Sequence, residues 1–417
     1  MNHTPRIRTV LSCTLLVVSF GATAAACSDS DSHPLAAKPF DAADQVSFNT
    51  PEGDTKVDPD KPLEVVATGD DGRITDVTVT DDSGHHLAGE LDAEGARWRS
   101  TAPLSAGVKY TVKVSTEDED GAPGVRTLAF ETAPAKRFLT VNLGPKAGTY
   151  GVGQPITAEL SLPVKDKAAR AVVERALKVE SSPSVEGAWY WVDDKKLHYR
   201  PKEYWPTGAT LRAASNLQGV KVSDKLYGGP SKDLKITIGD RIEAITDAGS
   251  HQMTVKRNGE VINTIPVTTG KPGFSTRNGI KVVLGKEYFV RMRGTSIGIA
   301  EGSADSYDLP VYYATRVTWS GEYVHAAPWS VGSQGYANVS HGCTGMSTGN
   351  AAWFFETVRE GDIVKVINSQ GAEMDPFGNG FGDWNVSWDK WRGGSALVAD
   401  TRDGSSPVDM ARLRPEV

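Results

Sequence analysis

The chain has 417 residues, with 45 basic side chains against 52 acidic ones and a formal net charge of −7. That length predicts about two to four domains, and the acidic balance removes the electrostatic case for a nucleic-acid partner. Glycine (43) and proline (23) are somewhat frequent, as in turn-rich β chains, and there are only three cysteines, Cys13, Cys27 and Cys343.

Residues 1–26 carry Arg6 and Arg8, an apolar run from Val10 to Phe20, and small residues from Gly21 to Ala26. This is the pattern of a signal peptide, with a run too short for a membrane span. Ala24-Ala25-Ala26-Cys27 resembles a bacterial lipobox, although leucine is commoner where Ala24 stands. Cys27 is therefore expected to become a lipidated N-terminus that anchors an exported chain to the membrane. Residues 27–44 read as a polar tether. Export favours disulfides, yet a lipidated Cys27 would leave Cys343 without a partner inside the chain. An unpaired thiol kept in an exported protein points to reactivity.

Residues 45–135 alternate with period two at Ile74–Thr80 and Lys109–Val114, with turn signals at Asp71-Gly72 and Ser83-Gly84. They predict an immunoglobulin-like β-sandwich. His85-His86 reads as a surface pair in a turn. Residues 136–239 predict a second sandwich. Its clearest strand is Ile156–Leu162, and a hairpin turns at Asp193-Asp194. Lys167–Leu177 has a helical pattern suited to a sandwich edge. Both modules read as rigid spacers.

Residues 240–367 predict a third, mostly β unit. Strands Met253–Arg257 and Val261–Thr264 flank Asn258-Gly259, the strongest short hairpin signal. Further strands are expected at Gly279–Leu284, Tyr288–Met292 and Ala314–Trp319, with a Gly/Ser/Asp-rich flap over Gly294–Leu309. Ala351, Phe354, Phe355 and Val358 share the spacing of one helix, with Ser347 as N-cap and Gly361 past its end. Asp362–Ile367 closes the unit. Residues 368–417 carry Trp384, Trp388 and Trp391. Sugar stacking is one reading; a helix packing its apolar face on the third unit is preferred. The last stretch reads as a polar tail.

Val339-Ser340-His341-Gly342-Cys343-Thr344-Gly345 is the stretch that carries chemistry. A thiolate is a strong nucleophile, and a histidine can take the thiol proton. His325 and His341 are both available. Gly342 would expose amide N–H donors to an oxyanion, and a helix start just after Cys343 would favour its thiolate. A packed, inert cysteine is the alternative. A metal site from His325, His341 and Cys343 fits poorly, because Glu356 is the only carboxylate between His325 and Thr357 and no Cys-x-x-Cys pair exists.

His325 followed by Ser340-His341-Gly342-Cys343 resembles the signature of the L,D-transpeptidases with a YkuD-type catalytic domain. The likeness extends over Val324–Gly332 and Gly382–Asn385. It is similar to the actinobacterial type: a lipid anchor, two immunoglobulin-like domains, the catalytic domain and a Trp-rich extension. The resemblance implies peptidoglycan stem peptides of the meso-diaminopimelate type as substrate and no cofactor. Cys343 would attack the bond after diaminopimelate and expel D-alanine, and an acceptor amine would then resolve the thioester into a 3→3 cross-link. It implies His325 as base, and Ser340, His341 and Gly342 as shapers of the nucleophile loop and oxyanion site. It also implies substrate contacts at Tyr307, Ser320, Gly321, Gly345 and Trp329, and carbapenems as acylating inhibitors of Cys343.

Three departures stand out: Gly345 replaces an asparagine, Ala326 a serine, and Ile297 a second flap tyrosine. They put substrate preference and carbapenem reactivity in question. Among rivals, NlpC-type endopeptidases place the cysteine before the histidine. Sortases need a downstream arginine, for which Arg359 is available, and a wall-binding lipoprotein needs no activated thiol at all.

Overall fold

The computed structural model describes residues 38–69 and 72–398. The signal peptide, Cys27, most of the tether and the last 19 residues lie outside the described residues. No described helix is long and apolar enough to cross a membrane.

The first sandwich packs one sheet, ordered Phe40–Asp41, Pro123–Glu131, Lys109–Asp118 and Gly72–Asp81, on a second, ordered Val46–Phe48, Glu64–Ala67, Arg97–Ser100 and Gly89–Leu91. The alternating residues of Lys109–Asp118 put Tyr110, Val112 and Val114 inward against Leu63, Ile74, Trp98 and Phe130. Phe40 pairs in parallel with Gly124, so ordered pairing begins inside the stretch expected to be tether. His85 is held at the turn by Asp81, with Nδ1 and Oδ2 3.0 Å apart.

The second sandwich repeats the plan. One sheet is Val141–Gly144, Ile156–Leu160, Lys196–Pro201 and Gly187–Trp191; the other is Gly148–Tyr150, Leu234–Ile238, Thr210–Ser215 and Leu177–Ser182. Trp189, Leu197, Trp205 and Ile156 fill the space between. The helix Lys167–Ala176 starts where Asp166 accepts the Ala169 N–H at 2.8 Å, as its capping pattern requires.

The third unit holds two sheets. The five-stranded sheet runs Glu260–Pro266, Gln252–Arg257, Ile242–Asp247, Ile363–Ile367 and Gly279–Val282. Asn258 and Gly259 take φ of 52° and 93°, the paired positive values that a two-residue hairpin turn demands. The four-stranded sheet runs Gly285–Arg293, Asp308–Arg316, Tyr323–Ala326 and Thr344–Met346. The helix Thr348–Thr357 packs on that sheet and buries Ala351 and Phe354. Ser347 accepts the Asn350 N–H at 3.3 Å, as its N-cap position requires.

The Trp-rich extension departs from expectation. It does not lay an apolar helix face on the catalytic unit. It crosses that unit and then docks on the second sandwich. Trp384 lies in a short 3-10 turn, and Trp388 and Trp391 in the helix Trp388–Gly393. Their rings gather on the Arg200 guanidinium at 4.8, 5.4 and 4.5 Å. Arg200 also donates to the Val386 carbonyl at 2.7 Å, and His198 meets buried Asp383 at 2.7 Å. Beyond the helix, Glu174 accepts from Ser395 and, at 2.8 Å, from the Ala396 N–H. The desolvated Arg200 guanidinium attracts the aromatic faces and so favours docking on this sandwich. At its near end the extension touches the catalytic unit, where Asn379 Oδ1 accepts the Ser320 N–H at 2.7 Å.

Candidate active site

Cys343 sits at the mouth of the strand Thr344–Met346, which pairs in parallel with Tyr323–Ala326, His325 facing Gly345 in the register. Two neighbouring strands thus bring Cys343 and His325, eighteen positions apart in sequence, to the wall of one cavity. That cavity is about 260 Å³ and is also lined by Tyr307, Trp329, Ser340, His341, Gly345, Thr268 and Met292. A larger open groove, about 670 Å³, crosses the outer face of the second sandwich, but its lining holds no cysteine and no histidine.

The Ser340–Cys343 loop is braced from within. The Ser340 hydroxyl donates to the Cys343 carbonyl at 2.6 Å and accepts the Gly342 N–H at 3.1 Å. Gly342 has φ of +117°, which a residue with a Cβ adopts only with strain. Its N–H is therefore committed to Ser340 rather than exposed to an oxyanion. The backbone N–H of Cys343 itself has no hydrogen-bond partner among the described residues and is the better donor for that role.

His325 is buried at 5% exposure. Its Nδ1–H donates to the Ala326 carbonyl at 2.8 Å, which leaves Nε2 as the ring's acceptor. Burial lowers its pKa below the ordinary imidazole value. The Ala326 departure leaves this brace intact, because the acceptor is backbone.

The Cys343 thiol is half-buried and donates to the Gly321 carbonyl at 3.5 Å. Burial pushes its pKa up to about 11; the Tyr323 N–H beside it acts the other way, Glu322 raises it further and Lys281 lowers it. The expected helix-dipole help is missing, because the strand Thr344–Met346 intervenes before the helix begins at Thr348 and the dipole fades within the first turn. Burial thus favours the uncharged form of both the thiol and the imidazole.

His341 is wedged between Phe274 and Tyr307, with ring centroids 4.8 Å away on each side. Trp329 stands half-exposed at the rim, 6.1 Å from the His325 ring. Ser320 and Gly321 form the turn that presents the Gly321 carbonyl to the thiol. Ile297 ends a 3-10 turn at 40% exposure and does not line the cavity. Arg359 donates its backbone N–H to Asp362 and its side chain lies against Gly239, away from the cavity, so it cannot serve as a sortase-type arginine.

Sequence reasoning passed over a buried ion cluster under the thiol. Lys281, 1% exposed, donates to Glu322 at 2.5 Å, and Arg277 donates to the other Glu322 oxygen at 3.0 Å. A lone lysine at an inward position of the strand Gly279–Val282 was the available signal. It also passed over Lys271 and Asp305, which only the flap's packing brings together.

Comparison with known proteins agrees with this architecture. Residues 241–366 match the L,D-transpeptidase catalytic domain and residues 54–221 the bacterial Ig domain. The chain is 35% identical to L,D-transpeptidase 2 of Mycobacterium tuberculosis, across 84% of its own length and 85% of the relative's. The chain belongs to the L,D-transpeptidase family. L,D-transpeptidase 5 of the same species is 32% identical over 87% of this chain and 79% of its own. The solved structure of LdtMt1 in complex with imipenem is 37% identical, covering 55% of this chain and 99% of that one at a TM-score of 0.48. The transpeptidase is thus an acyltransferase whose catalytic unit is preceded by immunoglobulin-like sandwiches.

In this transpeptidase Gly345 has a steric reason. A Cβ there would lie 2.9 Å from Ala327 Cβ and 3.1 Å from Thr268 Cγ2, closer than carbon atoms pack. Thr268 also exchanges two backbone hydrogen bonds with Gly345, at 2.9 and 2.8 Å. The space of an asparagine side chain is filled here by neighbours.

Proposed function

We propose that this transpeptidase cross-links peptidoglycan through a Cys343 thioester, with His325 as general base and D-alanine as the leaving group. The supporting observation is the pairing of Cys343 and His325 on one cavity wall, with His325 Nδ1 tied down and Nε2 left to accept a proton. Nε2 takes the thiol proton as Sγ attacks the carbonyl carbon of the donor tetrapeptide. The developing oxyanion is met by the free Cys343 N–H. The imidazolium then protonates the departing amine of D-alanine. In the second half, an acceptor side-chain amine attacks the thioester, His325 takes its proton, and the Cys343 thiol is regenerated as the 3→3 amide forms. Ser340 holds the loop and the Gly321 carbonyl orients the thiol.

Carbapenems fit the same chemistry, since a strained lactam carbonyl is an acyl donor that the thiol can open. Lipidation at Cys27 would hold the chain on the outer face of the membrane, with the two sandwiches as spacers. The test is intact-protein mass spectrometry of the wild type and Cys343→Ala after exposure to a disaccharide-tetrapeptide and, separately, to a carbapenem. An adduct and D-alanine release that vanish in the variant support the reading. A wild type left unmodified by both would leave a wall-binding lipoprotein in its place. Metabolic labelling with a palmitate analogue, lost in Cys27→Ala, tests the anchor.

A further inference from the structure

Two basic side chains from the fixed wall of the catalytic unit converge on one carboxylate from the flap. Lys271 leaves the wall beside the nucleophile loop, where its backbone N–H donates to the Ser340 carbonyl at 2.9 Å. Its Nζ lies 2.6 Å from Asp305 Oδ1 and 5.4 Å from the Phe274 ring centroid. The same Asp305 oxygen is 3.8 Å from His341 Nε2. That nitrogen is buried and has no hydrogen-bond partner among the described residues. Asp305 belongs to the flap segment 294–309 and is 42% exposed. Lys271 holds its carboxyl below the usual range. His341 and, on the flap, Tyr307 both line the cavity that holds Cys343 and His325.

The wall thus presents a cation beside the Ser340–Cys343 loop and an unsatisfied ring nitrogen on the cavity, with the flap's half-exposed carboxylate against both. An exposed ion pair of this kind contributes little net stability, so an incoming carboxylate of matching geometry can displace it. We propose that Lys271 and His341 form a carboxylate subsite for the stem peptide, which Asp305 fills in the free enzyme. This rests on the peptidoglycan reading above. A tetrapeptide stem of the diaminopimelate type offers three free carboxylates: that of its D-glutamate, that of the diaminopimelate side chain and that of the terminal D-alanine. Amidation of the one that binds would remove the charge the subsite recognises. The flap's own carboxylate would then act as an internal competitor that a charged stem must displace.

The test measures kcat and KM of the full chain with four donors: one with all carboxylates free and three with one carboxylate amidated each. The wild type should show a KM about tenfold higher for one of the amidated donors, the scale of a lost charge-assisted hydrogen bond. Lys271→Ala and Lys271→Gln should raise KM for the free donor by a similar factor and erase the discrimination against that same amidated donor. Asp305→Asn should lower KM for the free donor several-fold. The glutamine variant and a thermal unfolding curve separate lost recognition from lost fold. Equal KM increases for all four donors in the Lys271 variants would reduce the pair to a flap latch and overturn the subsite. A folded wild type inert toward every donor would instead overturn the peptidoglycan reading.

Discussion

Alkylation of Cys343 by iodoacetamide across a pH series reads the environment of its thiol directly. With its pKa pushed up to about 11 by burial, roughly one thousandth of the thiol is ionised at pH 8, against about a quarter of an ordinary cysteine with a pKa of about 8.5. The higher-pKa thiolate is intrinsically the better nucleophile and recovers about tenfold. The net rate at pH 8 should therefore fall about twentyfold below that of a free cysteine. It should climb about tenfold per pH unit toward pH 10 without levelling off, with tryptophan fluorescence confirming that the fold persists. The thiol donates to the Gly321 carbonyl and not to His325. His325→Ala should therefore leave the midpoint of this profile nearly unmoved, while acylation by stem peptide or carbapenem falls by roughly 10²–10⁴-fold. A plateau at or below pH 8.5, abolished by His325→Ala, would refute the reasoning. It would mean that the resting enzyme holds a thiolate–imidazolium pair.

Other outcomes follow from the same structure. Acylation should persist below the ordinary imidazole pKa, because burial holds His325 neutral there; stopped-flow acylation between pH 5 and 7 checks it. Gly345→Asn should lower stability by roughly 1–3 kcal/mol through overpacking against Ala327 and Thr268, and adding Ala327→Gly should recover part of it in thermal unfolding. Arg200→Ala removes three aromatic contacts and the bond to the Val386 carbonyl. It should destabilise by about 3 kcal/mol and open the extension to limited proteolysis. Buried Asp362 has a pKa raised to about 7 in the folded chain. Its contribution is complete below the unfolded carboxylate value and is lost as pH rises through about 7. Asp362→Asn should therefore be more stable than the wild type at pH 8, by roughly 2–4 kcal/mol, and show no gain at pH 4.

Local patterns were legible where one short stretch decides its own conformation. The alternation of Lys109–Val114, the Asn258-Gly259 hairpin, and the Ser347 cap with its apolar helix spacing all depend on neighbours a few residues away. The Ser340–Cys343 motif with His325 upstream carried the likeness to the transpeptidase family, because its order and setting are characteristic without coordinates. What the tertiary structure decided depends on groups far apart in the chain. The thiol's high pKa comes from burial and, beyond that, from Glu322, against the opposing pull of the Tyr323 N–H and Lys281. The neutral state of His325 comes from its interior position. The destination of the three tryptophans was set by Arg200, nearly two hundred residues earlier, and periodicity alone could not choose between two apolar faces. Gly345 looked like a lost side chain in sequence; in the fold Ala327 and Thr268 press against it and leave no room for one. The Lys271–Asp305–His341 cluster is of the same kind, since charge attraction acts through space and its partners share no spacing along the chain.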